Sequence, residues 1–263
     1  MLCQGPCDMS EPASHECSGH THIGKVRAEN QDCFAINSEY NIYIVADGMG
    51  GHENGAVASK LAVTLAEAEM IKLLQRYKYL ADDPDGLNAR ISEVFDNVNR
   101  HIFLRNKGKR GLSVMGTTLS AVTLVGHRML YSNVGDSRIY LFDGTRGQLK
   151  RVSRDDTVAE DMVSKGINTI ELRESYYQNQ LTQAIGTKTY ISPNTGYIGL
   201  HPDDIILICS DGLYNMIGQD ELDQMFKTCE ADNAGMNDLV DGLIQKANDN
   251  GGFDNITAIA IRV

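Results

Sequence analysis

Short runs rich in Val, Ile, Tyr and Thr recur along this chain, and four of them carry an aspartate at one end. Asp47 follows 42–46, Asp136 follows 130–134, Asp211 follows 205–209 and Asp254 precedes 256–261. The full set of strand-like runs is 33–36, 41–46, 119–125, 129–134, 138–142, 205–209 and 256–261, separated by Gly, Asn and Asp turn chemistry. Gly126-His127-Arg128 and Phe142-Asp143-Gly144 punctuate the runs as hairpins do, which predicts antiparallel pairing.

Helical periodicity interrupts the strands in blocks. Val57, Leu61, Leu65, Ala68 and Ile71 mark one apolar face, and Leu87, Ile91, Phe95, Val98 and Ile102 mark another. The segment 82–86, Asp-Asp-Pro-Asp-Gly, breaks between them, so a helical hairpin is expected between strands. A further helix carries Met236, Leu239, Val240, Leu243, Ile244 and Ala247 and stops at 248–252 before the last strand. Strands flanked by helix pairs predict an α+β layered sandwich. The polar segment 155–179, with only stubs such as Val158, Met162, Val163 and Ile170, reads as two short helices packed loosely at the surface.

Composition limits the partners. With 263 residues and 42% apolar content the chain can bury a large core, and 35 acidic against 24 basic residues leave a net charge of −11. A phosphate-tracking nucleic-acid binder would need the opposite balance. No apolar run is long enough for a membrane span and the start lacks the pattern of a signal peptide, so the chain is read as cytoplasmic. Cys33 and Cys209 lie in strand-like runs and are read as reduced core thiols. Cys3, Cys7, His15, Cys17, His20 and His22 crowd the beginning, but their spacing fits no compact zinc template. Residues 1–15 are therefore read as an extension ahead of a single domain, 16–263.

Asp-Gly and Gly-Asp are ordinary turn dipeptides, and one alone carries little. Four carboxylates on stiff strand ends are different. If they converge, each neighbouring pair about 4 Å apart repels by about 1 kcal/mol in water and about 4 kcal/mol at an effective dielectric of 20, so the cluster calls for protons or cations. All-oxygen ligands suit Mg²⁺ or Mn²⁺, whereas zinc would recruit His or Cys.

Six segments then occur in a telling order: Val26-Arg27-Ala28-Glu29-Asn30-Gln31-Asp32, Val45-Ala46-Asp47-Gly48-Met49-Gly50-Gly51-His52, Gly116-Thr117-Thr118, Asn133-Val134-Gly135-Asp136-Ser137-Arg138, Cys209-Ser210-Asp211-Gly212-Leu213 and Asp254-Asn255-Ile256-Thr257. The chain resembles the metal-dependent PP2C-type (PPM) protein phosphatases, most strongly the bacterial members, from about residue 24 onward. The resemblance implies a four-layer α-β-β-α sandwich with two central antiparallel sheets. It implies that Asp47 bridges two metal ions, that the Gly48 carbonyl binds one of them, and that Asp211 and Asp254 hold the second. Asp136 matches a ligand of a third, weaker ion; Asp32 would orient metal-held water; Arg27 would bind the substrate phosphate. The implied reaction is hydrolysis of phosphoserine and phosphothreonine in proteins by a hydroxide held between two cations about 3.5–4 Å apart, without a phosphoenzyme. Its partners would be phosphorylated proteins of a cognate serine/threonine kinase, with the enzyme a monomer. The same fold used only to bind a phosphoprotein is the alternative, and loss of Asp47, Asp211 or Asp254 would favour it.

Three positions depart from the better-known eukaryotic pattern. Gln31 replaces a glutamate, and Met49 replaces a histidine proposed as general acid, which leaves His52 or a metal-held water for that role. Arg154-Asp155-Asp156-Thr157 replaces Asp-His-Ser or Asp-His-Thr, just before the 157–179 stretch that corresponds to the family's flap.

Overall fold

The computed structural model describes residues 15–50, 54–77, 83–167 and 179–263. Strands β1 (Glu16–His22), β2 (Asp32–Asn37) and β3 (Ile42–Met49) come first, followed by helices α1 (Asn54–Arg76) and α2 (Pro84–Arg105). Next come β4 (Gly116–Thr117), β5 (Leu119–Val125), β6 (Arg128–Val134), β7 (Arg138–Asp143), β8 (Gln148–Arg151), α3 (Val158–Ser164) and β9 (Asn194–Gly199). The chain ends with β10 (Ile205–Cys209), α4 (Asp211–Tyr214), α5 (Gln219–Ala231), α6 (Met236–Asp249) and β11 (Ile256–Arg262). One sheet has the order β1-β11-β10-β7-β8 and the other β2-β3-β5-β6-β9, with β4 paired to β3. Every pairing between strands is antiparallel.

Alternation along the strands builds the layers. In β3, Ile42, Ile44 and Ala46 face α1 and α2, whereas Tyr43 and Val45 join Ile206, Ile208, Ile259 and Ile261 between the sheets. In β10, Ile205, Leu207 and Cys209 face α5 and α6. A strand covered on both sides is apolar at every position, which is why these runs read as continuous. The result is the four-layer α-β-β-α sandwich, with three apolar layers and the central strands' ends brought to one edge.

Two helical faces match the periodicity: α2 buries Leu87, Ile91, Phe95, Val98 and Ile102, and α6 buries all six predicted residues. The face of α1 differs. It buries Ala58, Ala62, Val63, Ala66, Met70 and Leu73, while Val57 and Ala68 are exposed and Leu61, Leu65 and Ile71 pack at the margin. Alanines let the helix lie close on β3, so small residues rather than large ones mark the contact. Helix α5 was not anticipated, although Leu222, Phe226 and Cys229 carry a helical spacing. Strands β8 and β9 were missed too, since QLKR and NTGYIG contain little apolar sequence.

Of the two short helices expected in 155–179, α3 is present and buries no residue; its N-terminal Thr157 accepts from Glu160 N. The second falls among residues 168–178, outside the described residues, as do Cys3, Cys7, Ile170 and His52. His20 and His22 lie in β1: His20 Nδ1 pairs with Asp241 at 2.9 Å and His22 Nδ1 accepts from Gly24 N. Cys209 is fully buried, but Cys33 is only partly so, a correction to its reading as a core thiol: β2 lies at the margin of its sheet, where one side of the strand is only partly covered. Phe226 is fully buried with its ring 5.8 Å from that of Phe142. Phe226→Ala is expected to lower unfolding free energy by about 3–5 kcal/mol, measured by urea denaturation.

Candidate metal-dependent active site

The register of β2 on β3 places Asp32 directly opposite Asp47. Asp47 lies within β3 rather than just past its end, because pairing with β4 carries the strand on to Met49. Its main chain is held by Thr117 and Thr118: Asp47 N meets Thr118 Oγ1 at 2.8 Å, and its carbonyl accepts from Thr118 N and Thr117 Oγ1. Gly48 has no room for a side chain, since an added Cβ would stand 2.2 Å from the Gly55 carbonyl oxygen where α1 begins.

Asp211 opens α4 immediately after β10, and Asp254 stands two residues before β11. Gly212 brings them together. A Cβ there would lie 2.0 Å from the Asn255 carbonyl oxygen, so only glycine lets the two backbones touch. Asn255 braces the segment that precedes β2, accepting from Gln31 N through Oδ1 and donating through Nδ2 to the carbonyls of Ile23 and Glu29. That brace places Arg27 above the carboxylates, where its Nη2 donates to Asp254 Oδ2 at 2.7 Å.

Asp136 reaches the same place from the other sheet edge. Gly135 turns the chain with φ +101°, and the Tyr214 hydroxyl donates to the Asp136 carbonyl at 3.0 Å. A cavity of about 740 Å³ is lined by Arg27, Asp47, Gly48, Asp136, Asp211 and Asp254. Asp32 sits beneath it, its Oδ2 accepting from Ser210 Oγ at 2.7 Å and Thr257 Oγ1 at 2.6 Å. All seven residues singled out in the sequence therefore meet in one region. Asn255, Ser210, Thr257, Thr118 and Tyr214 were not singled out as functional; all but Tyr214 lay inside a quoted motif, and their polarity beside a strand was the available signal.

Burial and mutual repulsion dominate the electrostatics. Burial raises Asp47 well above the usual carboxylate value, reinforced by the charges of Asp32, Asp211 and Asp136. Burial pushes Asp211 up to about 8, with Asp136 and Asp254 adding to it, and Asp136 up to about 7. Asp32 is raised to about 6 by burial, against the pull of its two hydroxyl donors. Asp32 Oδ1 and Asp211 Oδ1 are fully buried, and a proton shared with Asp47 would be the partner within reach of these carboxyls. Among the described residues no three His, Cys, Asp or Glu side chains are grouped tightly enough to hold an ion as placed. The Asp47 carboxyl lies within hydrogen-bonding reach of those of Asp32 and Asp211, and Asp254 is turned toward Arg27. Crowded buried carboxyls of raised pKa beside an open cavity lined by oxygen ligands suit a hard divalent cation, which would displace their protons.

The sequence matches the protein phosphatase 2C family over residues 18–244. The chain belongs to the protein phosphatase 2C family. It is 31% identical over 248 residues to the serine/threonine phosphatase stp of Listeria monocytogenes, covering 92% of this chain and 93% of that protein. Its fold superposes on the serine/threonine phosphatase of S. agalactiae with a TM-score of 0.79 at 29% identity, covering 95% and 99% of the two chains. It also superposes on the catalytic domain of the serine/threonine protein phosphatase PstP in complex with two manganese ions, with a TM-score of 0.76 at 28% identity over 94% and 97%. The family is metal-dependent, and its members are protein phosphatases. No described helix is long and apolar enough to cross a membrane.

The raised carboxylate pKa values make a pH-dependent stability. The folded state keeps protons that the unfolded chain gives up near 3.8, so this contribution is present at low pH and is lost as pH rises through about 6 to 8. In EDTA the protein is expected to melt at a higher temperature at pH 5.5 than at pH 8, and Mn²⁺ is expected to raise the melting temperature more at pH 8. Equal melting at both pH values, with or without Mn²⁺, would contradict the clustered-carboxylate account.

Proposed function

We propose that this chain hydrolyses phosphoserine and phosphothreonine in proteins with two divalent cations, Mn²⁺ or Mg²⁺, held by Asp47, the Gly48 carbonyl, Asp211 and Asp254. Asp136 would help to hold a third, weaker ion. The observation that carries the reading is the meeting of five acidic side chains and Arg27 from both sheets at one cavity. Bound there, the cations would acidify water as the nucleophile and offset the charge of the transferring phosphoryl group.

The side chains have separate tasks. Arg27, partly exposed at the cavity mouth, offers a planar fork to two phosphate oxygens. Its pairing with Asp254 raises the guanidinium pKa further and holds it ready over the site. A cation at Asp254 would take over that carboxylate and free Arg27 for phosphate. Asp32, with one oxygen fixed by Ser210 and Thr257 and lying against Asp47, would help from beneath the cavity to orient the cation-held water by hydrogen bonds. Cys209 is buried and its thiol is pushed up to about 12 by burial, which suits a core residue and not a nucleophile. The alternative, a phosphatase fold that binds without catalysis, calls for loss of one of these acids, and the presence of Asp47, Asp211 and Asp254 on the cavity lining supports the catalytic reading.

The substrates would be phosphoproteins of a serine/threonine kinase that this enzyme opposes. Free thiols at Cys17, Cys33, Cys209 and Cys229 agree with a reducing, cytoplasmic setting. The enzyme would act as a monomer, its cavity being formed within one chain. A general acid is not assigned to a side chain: Met49 cannot donate a proton, so water in the cavity is the proposed donor.

The test is hydrolysis of a phosphothreonine peptide with Mn²⁺. EDTA is expected to abolish it, and Asp47→Asn or Asp211→Asn to lower it by more than about 100-fold. Activity indifferent to chelation and to both substitutions would end the proposal. Arg27→Ala is expected to lower kcat/KM by about 10- to 100-fold, as loss of a charge-assisted phosphate contact does, while leaving Mn²⁺ binding measured by calorimetry within a few-fold of the parent.

A further inference from the structure

Asp156 grips the peptide next to Asp136 from two directions. Its Oδ2 accepts from Gly135 N at 2.9 Å, and its own N donates to the Gly135 carbonyl at 2.9 Å. Gly135 packs closely on Thr118, leaving no room for a side chain: an added Cβ would lie 2.6 Å from Thr118 Cγ2. From the opposite side the Asp156 carbonyl accepts from Thr182 N at 2.7 Å. Thr157 bridges to Leu181, and Val158 N donates to the Gln180 carbonyl at 2.9 Å. Gln180 and Leu181 belong to the cavity wall. Asp156 is thus the residue through which that wall and the Asp136 turn are joined.

The preceding acid makes a parallel tie. Asp155 is buried and takes Nε and Nη2 of Arg138 together, at 3.0 and 2.7 Å, as well as Nη1 of Arg151 at 3.1 Å. Arg151 continues to Glu160 of α3 at 3.0 Å. The Arg138 guanidinium lies 3.5 Å over the ring of Tyr214, the residue whose hydroxyl donates to the Asp136 carbonyl. Two consecutive carboxylates therefore connect the start of α3 to the backbone of one cavity acid.

We propose that Asp156 is a positioning residue that locks the Gly135–Asp136 turn to the base of the segment beginning at α3, so that Asp136 and the wall at 179–181 are set as one unit. The inference rests on the proposed role of Asp136 toward a cation, but not on turnover. Asn in place of Asp156 keeps an oxygen for the Gly135 N–H; Ala and Ser do not span the gap.

The experiment compares Asp156→Ala, Asp156→Ser and Asp156→Asn with the parent by Mn²⁺ calorimetry, by hydrogen exchange at Gly135 and 180–182, and by peptide hydrolysis. Ala and Ser are expected to speed exchange at these amides by about 10-fold and to weaken the lowest-affinity Mn²⁺ site by about 10-fold, with Asn restoring most of both. If Ala does not fold, Ser supplies the same comparison. Unchanged exchange and Mn²⁺ binding in a variant that merely melts earlier would overturn the proposal, as would an Asn variant no better than Ala. Absence of hydrolysis by the parent protein would count against the phosphatase reading alone, since exchange and calorimetry still judge this one.

Discussion

Asp32 and Asp47 face one another across an antiparallel pair, and with Asp136, Asp211 and Asp254 they concentrate negative charge at the edge of a tightly packed double sheet. Repulsion of this kind disfavours folding unless protons or cations neutralise it. The surroundings answer it only in part: Ser210 and Thr257 donate to one oxygen of Asp32, and Arg27 to one of Asp254. Asp32 and Asp211 otherwise face the carboxyl of Asp47. Protons relieve the repulsion at low pH, and in the proposed function a divalent cation would do so instead, the crowded charge supplying its affinity.

The sandwich is what makes the stress tolerable. Strands β3, β10 and β11 are apolar on both faces, so their backbones are clamped between helices and the opposite sheet. Carboxylates placed at the ends of such strands cannot drift apart by loop motion. Close backbone contacts finish the arrangement. Gly212 against Asn255 and Gly48 against Gly55 leave no space for a methyl group, and Asn255 ties the Arg27 segment to the same corner.

Much of this was legible beforehand because two signals are local. Strand runs show as β-branched sequence, and Asp47, Asp136, Asp211 and Asp254 fall beside their ends; Arg27, Asp32 and Gly48 were named through the family resemblance, and all seven converge. The layered architecture was legible for a similar reason, through α2 and α6, whose large apolar residues recur at helical spacing. The face of α1 was misjudged because close helix–sheet contact selects alanine, which carries little apolar signal. Edge elements such as β8 and β9 were missed because a strand with one covered side needs few apolar residues.

The chain's order of residues by itself determined which side chains could bind an ion or a phosphate, since ligand type and the stiffness of the adjoining strand are properties of short segments. Only the tertiary structure decided that Asp254 turns to Arg27, that Asn255, Ser210 and Thr257 support the site, and that Asp155 and Asp156 tie α3 to Asp136. Those contacts join residues far apart in the chain or at the crossing of two sheets, and their partners are chosen by packing distance, which no local spacing encodes.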